Sequence, residues 1–332
     1  MIAEDDLRQL LNPYLRTNRL MADPIIETQG LTKIYGTMRA LDNVTVSIPA
    51  GTIGLLGPNG AGKTTFLKCL LNLETPTSGG AQVLGRNIRS NNRESRERVG
   101  YGPEQDCHIP GLAGCEYVTY CGQLSGMSFR AARQRAHEML DLVGMGQERY
   151  RSIDTYSTGM RQRAKLAQAL VHDPALIILD EPTNGLDPSG REHILRLIGS
   201  LWKEFGISVI ISSHLLQDVE RICDRVLIVA GGQVIEHDSM EALKARRAPV
   251  VELAPMAGAA KYISVLTAAG HQVESLSNGR LRVASKETST QWLLELMQTH
   301  ELPPAHIFSS PDALQTLFLQ ALETSAQKGG QA

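Results

Sequence analysis

Residues 25–246 are predicted to form an α/β domain built on a largely parallel sheet, and residues 247–324 a smaller α+β domain. Three observations support this prediction. Strand-like and helix-like runs alternate along the first range, and its strands are uninterrupted apolar stretches, as in sheets buried on both faces. A chain of 332 residues is longer than one hydrophobic core normally serves. After residue 247 the order of strands and helices changes.

The composition is that of an ordinary folded protein without a strong charge. Hydrophobic residues make up 42% and charged residues 20%, and the formal net charge is −2. This balance excludes the strongly basic surface typical of nucleic-acid-binding proteins, so no nucleic-acid partner is expected. The five cysteines include no CxxC pair, which favours reduced thiols over a disulfide framework. No apolar run approaches the about 20 residues of a membrane-spanning helix.

The elements of the first domain follow an N-terminal extension, residues 1–24, which contains no recognisable chemical motif. The predicted strands are IIETQGLTKIY, NVTVSI, TIGLL, RVGYG, ALIILD, SVIISS and RVLIVA. The predicted helices include RAARQRAHEMLDLVG, MRQRAKLAQALVHD and REHILRLIGSLWKEFG. We therefore expect an α/β domain with a helical insertion between about Glu104 and Thr158.

The second domain has the predicted order βαββαβ followed by a closing helix. PVVEL predicts a strand and MAGAAKYISVLTAAG a helix that ends at Gly270. HQVESL and RLRVAS flank Ser277-Asn278-Gly279, a strong hairpin turn signal. TSTQWLLELMQTH then predicts a helix, AHIFSS a strand, and PDALQTLFLQAL the closing helix. The order is that of a ferredoxin-like split βαβ, with a looser α+β appendage as the alternative. The tail, residues 325–332, is expected to be disordered.

The strongest chemical signal is GPNGAGKTT, residues 57–65, which follows the strand TIGLL and opens a helix. Its glycines allow backbone N–H groups to approach phosphate oxygens, and the helix N-terminus favours an anion. Lys63 would reach the β- and γ-phosphates, and the Thr64 hydroxyl would ligate Mg²⁺. We expect nucleotide binding by the whole loop: Gly57, Pro58, Asn59, Gly60, Ala61, Gly62, Lys63, Thr64 and Thr65.

Two adjacent acids follow a buried strand in ALIILDEPTNGLDP. Asp180 ends the strand, where a carboxylate beside the phosphate loop can hold Mg²⁺ through its water shell. Glu181 comes next and is placed to polarise an attacking water as general base. Together with the phosphate loop, this pair predicts a nucleotide hydrolase that uses Mg²⁺.

The segment YSTGMRQR, residues 156–163, indicates the class of hydrolase. With it, residues 25–246 resemble the nucleotide-binding subunit of ATP-binding cassette (ABC) transporters, a family of P-loop NTPases. The family's elements appear in order: Tyr35, the Walker A loop GPNGAGKTT, PTSG, the signature YSTGM, the Walker B strand LIILDE, GLD and SSH. The resemblance implies a mainly parallel core sheet, an antiparallel β subdomain and a helical signature subdomain.

The resemblance also implies roles for residues outside the Walker motifs. Tyr35 would stack on the adenine of ATP. Ser157 and Gly159 would bind the γ-phosphate of ATP held by the Walker A loop of a second cassette, at the N-terminus of a helix. Asp187 would link the two cassettes, and His214 would sense the γ-phosphate and steady the attacking water.

Three positions depart from the family pattern. The signature has Thr158 where glycine is commoner and Met160 where glutamine is commoner. In YGPEQD, Glu104 occupies the place where the family usually has glutamine, and Gln105 follows it. That loop normally contacts both the catalytic Mg²⁺ and the membrane partner, so either Glu104 or Gln105 is expected to serve as a ligand.

Two functions agree with the resemblance. In the first, the chain is the ATPase subunit of a transporter at the cytoplasmic face of the cell membrane. It would pair with a second cassette, a further copy or a paralogue, and energise separately encoded integral-membrane permease subunits. In the second, it is a soluble cassette ATPase acting on ribosomes, DNA or a cofactor-assembly scaffold. The single Walker A loop and the extra C-terminal domain favour the transporter, and within that family the exporter branch that handles drugs, antibiotics or polysaccharides.

Overall fold

The computed structural model describes residues 24–90, 97–245, 250–276, 278–284, 291–309 and 318. These residues fall into two compact units that divide between Met240 and Glu241. The predicted N-terminal extension up to residue 23, the tail, and the closing helix apart from Phe318 lie outside the described residues. None of the helices within the described ranges is long and apolar enough to cross a membrane.

The first unit alternates strands and helices as predicted. Its strands are β1 (Ile26–Tyr35), β2 (Met38–Ile48), β3 (Thr52–Leu56), β4 (Ser78–Val83), β5 (Arg86–Asn87), β6 (Val99–Gly102), β7 (Leu176–Asp180), β8 (Ser208–Ser213), β9 (Arg225–Ala230) and β10 (Gln233–Ser239). Its helices are α1 (Lys63–Leu70), α2 (Gly114–Leu124), α3 (Phe129–Leu142), α4 (Thr158–Leu170), α5 (Pro188–Phe205) and α6 (Leu216–Ile222). Helix α7 (Met240–Ala245) begins at the boundary between the units.

The core of the first unit is a six-stranded sheet in the order β10-β9-β3-β8-β7-β6. All neighbouring pairs are parallel except β9 and β10. Every residue of β3, β7 and β8 is buried, which explains why their sequences lack polar alternation. The predicted mainly parallel sheet is confirmed.

A second, antiparallel sheet in the order β2-β1-β4-β5 forms the expected β subdomain. The long strands β1 and β2 were predicted, whereas β4 and β5 were not, because SGGAQV lacks apolar alternation. Glycine is required at position 79 for packing as well as for its φ of 72°, since a Cβ there would lie 2.1 Å from the carbonyl oxygen of Gly30.

The predicted helical insertion comprises α2, α3 and two short 3-10 turns, and leads into α4. The Ser128 side chain caps α3 by accepting a hydrogen bond from the Ala131 N–H at 3.3 Å. The signature residue Ser157 caps α4 in the same way, accepting from the Met160 N–H at 3.3 Å. Helix α4 therefore begins within the signature itself.

The second unit contains β11 (Val250–Pro255), α8 (Ala259–Ala268), β12 (Gln272–Ser275), β13 (Leu281–Ala284), α9 (Gln291–Thr299) and β14 (Ala305–Ser309). Its sheet has the order β12-β13-β11-β14, and all three pairs are antiparallel. The elements follow the order βαββαβ. Tyr262 and Leu266 of α8 and Trp292 and Leu293 of α9 pack against Val251, Leu253, Leu281 and Val283 of the sheet.

Helix α6 packs against β3 at unusually short range. A Cβ added to Gly54 would lie 2.2 Å from Val219 Cγ1, so only glycine at position 54 admits the helix. Helix α5 meets α6 through another glycine, because a Cβ on Gly199 would lie 3.3 Å from Ile222 Cγ2. The strand that enters the phosphate loop therefore fixes the position of α6.

We expect Gly54→Ala to destabilise the first unit by about 1–3 kcal/mol, because the new methyl group would overpack the contact with Val219. Gly80→Ala is the matched control, since a Cβ at this strand position has no heavy atom within 4 Å. Urea denaturation followed by circular dichroism measures both variants. An unchanged unfolding midpoint for Gly54→Ala would contradict the packing described here.

Candidate active site

A cleft of about 750 Å³ opens where β3, β7 and β8 end. It is lined by the loop from Pro58 to Thr65 after β3, by Glu181 after β7, and by His214 after β8. Glu104 also lines it. Parallel strands bring these residues together, because their carboxyl ends meet at the same edge of the sheet.

The loop turns into α1 through glycines that other residues could not replace. Gly62 has a φ of 104°, and a Cβ there would lie 2.4 Å from the Ala40 carbonyl oxygen. A Cβ on Gly57 would lie 2.3 Å from the Val229 carbonyl oxygen. The first turn of α1 contains no acidic residue and no side chain caps it. Its first N–H groups are therefore suited to bind an anion such as phosphate.

Lys63 is buried at the base of the loop. Its Nζ donates hydrogen bonds to the carbonyl oxygens of Gly57 at 2.8 Å and Pro58 at 3.3 Å. The same nitrogen lies 3.6 Å from Glu181 Oε1. Its positive charge is thus fixed between the phosphate loop and the end of β7.

Asp180 has one carboxylate oxygen that is satisfied and one that is not. Its side chain is buried, and Oδ1 accepts a hydrogen bond from the Ser212 hydroxyl of β8. Oδ2 is buried without a hydrogen-bond partner. A buried carboxylate oxygen of this kind is suited to a cation or its water shell. Asp180 does not itself line the cleft, whereas the next residue, Glu181, and Thr64 do. A carboxylate and a hydroxyl are oxygen ligands of the kind that Mg²⁺ takes, so the residues present fit this ion.

Glu181 lies between a lysine and a histidine. His214 Nδ1 is 2.9 Å from Glu181 Oε2, while Lys63 approaches Oε1. The backbone of Glu181 has a φ of 49°, in the left-handed region that residues other than glycine rarely adopt. Its N–H donates to the Ser212 hydroxyl at 3.0 Å, which helps to hold this conformation. Backbone strain of this kind is commonest at functional sites.

Comparison with known proteins identifies the family. A family model described as "ABC transporter" matches residues 41–184. The bacitracin transport ATP-binding protein BcrA of Bacillus licheniformis is 35% identical over 301 residues, which cover 90% of this chain and 97% of BcrA. The chain belongs to the ABC transporter ATP-binding family. It is accordingly an ATPase, and its first unit is an ABC cassette.

Two further proteins resemble the cassette. The daunorubicin/doxorubicin resistance ATP-binding protein DrrA of Streptomyces peucetius is 38% identical over 220 residues, 66% of this chain and 66% of DrrA. The ATP-binding cassette MJ0796, solved as a dimer bound to ADP and Pi, superposes with a TM-score of 0.61 at 26% identity. That match covers 65% of this chain and 98% of the MJ0796 chain.

Two predicted parts of the site lie apart from the cassette's own cleft. The signature residues Ser157 and Gly159 do not line it, and neither does Asp187. They lie next to one another instead: a Cβ on Gly159 would be 3.7 Å from Leu186, and one on Gly185 would be 3.1 Å from Thr158. The signature and the GLD segment therefore form one continuous surface.

Tyr35 ends β1 beside the cleft but is not among its lining residues. The Lys33 ammonium lies 4.7 Å from the centre of the Tyr35 ring, and Tyr35 is 37% exposed. Partial burial is the main reason that the pKa of Tyr35 is raised, and the negative charge of the nearby Glu74 raises it further. The residues after Tyr35, from Thr37 to Ala40, line the cleft.

Glu104 and Gln105 are the two candidate ligands in the loop YGPEQD, where the family usually has glutamine. Of the two, Glu104 lines the cleft and Gln105 does not. Lys165 of α4 fixes this loop, since its Nζ donates to the carbonyl oxygens of Pro103 at 3.0 Å and Glu104 at 2.9 Å. Burial lowers the pKa of Lys165, and Asp106 opposes this shift. The loop is thus tied by its main chain to the helix that the signature begins.

Sequence reasoning missed several lining residues, namely Thr37, Met38, Arg39, Ala40, Asn184 and Gly231. The Asn184 N–H donates to the Glu181 carbonyl oxygen at 3.2 Å, and Asn184 belongs to the TNGLDP segment that follows the Walker B acids. Proximity in sequence to a recognised motif was therefore a usable signal for Asn184. No motif marked Gly231.

We expect Lys63→Ala to weaken ATP binding by about 10–100-fold, since hydrogen bonds to charged groups contribute about 1.5–3 kcal/mol. Lys68→Ala is the control, because Lys68 lies on the same helix and does not line the cleft. Equilibrium titration with a fluorescent ATP analogue gives both affinities. Undiminished affinity in Lys63→Ala would mean that the loop does not bind the phosphates.

Proposed function

We propose that this chain is the ATP-hydrolysing subunit of an exporter, working at the cytoplasmic face of the membrane with separately encoded permease subunits. The observation that carries the proposal is the extent of the likeness to BcrA, which spans 97% of that bacitracin transport protein and so includes the second unit. The likeness to the drug-resistance protein DrrA supports export as well. The permease subunits would select the cargo.

Hydrolysis is proposed to depend on Glu181 as general base. Its carboxylate would accept the proton of a water that attacks the γ-phosphate of ATP. His214, hydrogen-bonded to Glu181 Oε2, would orient the carboxylate and sense the phosphate. Lys63 and the N–H groups of α1 would hold the phosphates in line. This division of roles agrees with the position of Glu181 between Lys63 and His214.

Mg²⁺ would be held by the Thr64 hydroxyl and Asp180, with Glu104 or Gln105 as the further ligand. When bound, the ion would neutralise the negative charge that develops on the phosphates during hydrolysis. The unpaired Asp180 Oδ2 supports this assignment. The position of Glu104 on the cleft favours it over Gln105. Among the described residues, no three His, Cys, Asp or Glu side chains form a metal cluster.

A second cassette is proposed to complete each ATP site. Ser157 and Gly159 would contact the γ-phosphate held by the other cassette's Walker A loop, aided by the N-terminus of α4. Asp187 would bridge the two cassettes, and Tyr35 would stack on adenine. The signature residues do not line their own cassette's cleft, which supports this arrangement, as does the dimer solved for MJ0796.

We expect Glu181→Gln to retain ATP affinity and to lose about 10²–10⁴-fold in turnover, the range typical of a general base. At about 1.36 kcal/mol per tenfold, this is a barrier higher by about 3–5 kcal/mol. The contrast with Lys63→Ala is diagnostic, because that variant should lose binding first. Steady-state ATPase assays and nucleotide titration measure the two effects.

The Glu181→Gln variant also tests the second cassette. With ATP it should elute from gel filtration as a dimer, since the nucleotide that joins the cassettes would persist. A monomer that demonstrably carries ATP would contradict the proposed arrangement.

The transporter proposal predicts that the tagged chain, isolated from its native membranes in mild detergent, brings a polytopic membrane protein with it in stoichiometric yield. A Lys63→Ala form serves as the control for nucleotide-independent association. Recovery of ribosomal, DNA-repair or cofactor-assembly proteins from the soluble fraction alone would favour the soluble ATPase instead.

A further inference from the structure

A buried carboxylate connects three segments around the active site. Asp218 of α6 is 1% exposed. Its Oδ2 accepts a hydrogen bond from the Thr183 hydroxyl at 2.7 Å. Its Oδ1 accepts from Arg191 Nε at 2.6 Å, and Arg191 Nη2 lies 2.5 Å from the same oxygen. Both oxygens are therefore occupied by partners from other parts of the chain.

Each member of this group lies close in sequence to a residue of the proposed machinery. Thr183 is two residues after Glu181, and Asp218 is four residues after His214. Arg191 is four residues after Asp187, one turn into the helix that Asp187 caps through the Gly190 N–H at 3.2 Å. One carboxylate thus joins the segments of Glu181, Asp187 and His214.

The position of Asp218 is itself fixed. The next residue, Val219, packs so closely against Gly54 that no residue larger than glycine fits at position 54. Asp218 is thereby held relative to β3, the strand that enters the phosphate loop. Thr183 is also buried, so its hydroxyl has a defined partner and little freedom to exchange it.

The hydrogen bond of Asp218 to Thr183 does more than join the helix pair α5 and α6, because Thr183 lies on neither helix. A second ion pair, Arg221 with Glu192, already joins α5 and α6 at the surface. Buried ion pairs often stabilise a fold no more than well-packed apolar residues would. What distinguishes Asp218 is its bond to Thr183, which anchors the segment directly after the strained backbone of Glu181. A strained residue persists only when its surroundings hold it in place.

We propose that Asp218 is a positioning residue for ATP hydrolysis: through Thr183 and Arg191 it holds Glu181 and Asp187 in place relative to His214. The proposal rests on the function proposed above for Glu181. A displacement of about 1 Å in a catalytic group can lower the rate by about 100-fold, and binding of the substrate need not change. Turnover therefore depends on the Thr183 hydroxyl, although this hydroxyl does not line the cleft.

The test compares Thr183→Val, which removes the hydroxyl, with Thr183→Ser, which keeps it. In ATPase assays of the full chain, Thr183→Val should lower kcat by about 10–100-fold with KM for ATP unchanged. Thr183→Ser should restore kcat to within about threefold of the original chain. Glu192→Gln, which breaks the exposed pair between the same two helices, should leave kcat unchanged.

The proposal is overturned if Thr183→Val retains full kcat, or if Thr183→Ser loses as much as Thr183→Val. It is also overturned if the loss appears in KM instead of kcat. Should Thr183→Val be insoluble, Arg191→Lys replaces it, because this change keeps the charge but not the geometry of the guanidinium, and kcat should again fall. Glu181→Gln in the same assay separates the two proposals. Full turnover there overturns both, whereas its loss beside an unimpaired Thr183→Val overturns only the role of Asp218.

Discussion

The register of three parallel strands is the constraint on which the active site depends. Leu56 of β3 lies opposite Ser213 of β8, and Asp180 of β7 lies opposite Ser212. The residues that follow each strand therefore emerge side by side, although they come from distant parts of the chain. A shift of one residue in this pairing would turn Asp180 away from Ser212 and separate the phosphate loop from the two Walker B acids.

Much of the fold and most of the cleft could be predicted from sequence, because both follow from local patterns. Uninterrupted apolar strands indicate the parallel sheet. The GPNGAGKTT loop is recognisable because a loop that joins a strand to a helix and binds phosphate through its backbone N–H groups requires glycines at these positions. Strand β4 escaped prediction because two of its residues are glycines, which carry no side-chain pattern. Its place in the sheet depends on the path of β1, against which Gly79 packs.

The parts that sequence did not resolve depend on the path of the backbone in three dimensions. Adjacent residues such as Glu104 and Gln105 differ in whether they reach the cleft, and only the course of the loop decides this. The bond between Thr183 and Asp218 joins residues separated by 35 positions, and Asp218 belongs to no motif that the sequence analysis recognised. Such contacts are set by how α6 meets β3, which no local spacing encodes.

The two hydrogen bonds from Lys165 to the loop of Glu104 affect which substitutions position 104 can accept. Lys165 binds two main-chain carbonyl oxygens, so this anchor of the loop does not involve the side chain at position 104. An amide can thus be exchanged for a carboxylate at that position by mutation, while the loop keeps its shape. The chemistry offered to the cleft can then change by substitution at position 104, while the geometry of the loop depends on Lys165, a residue that does not line the cleft.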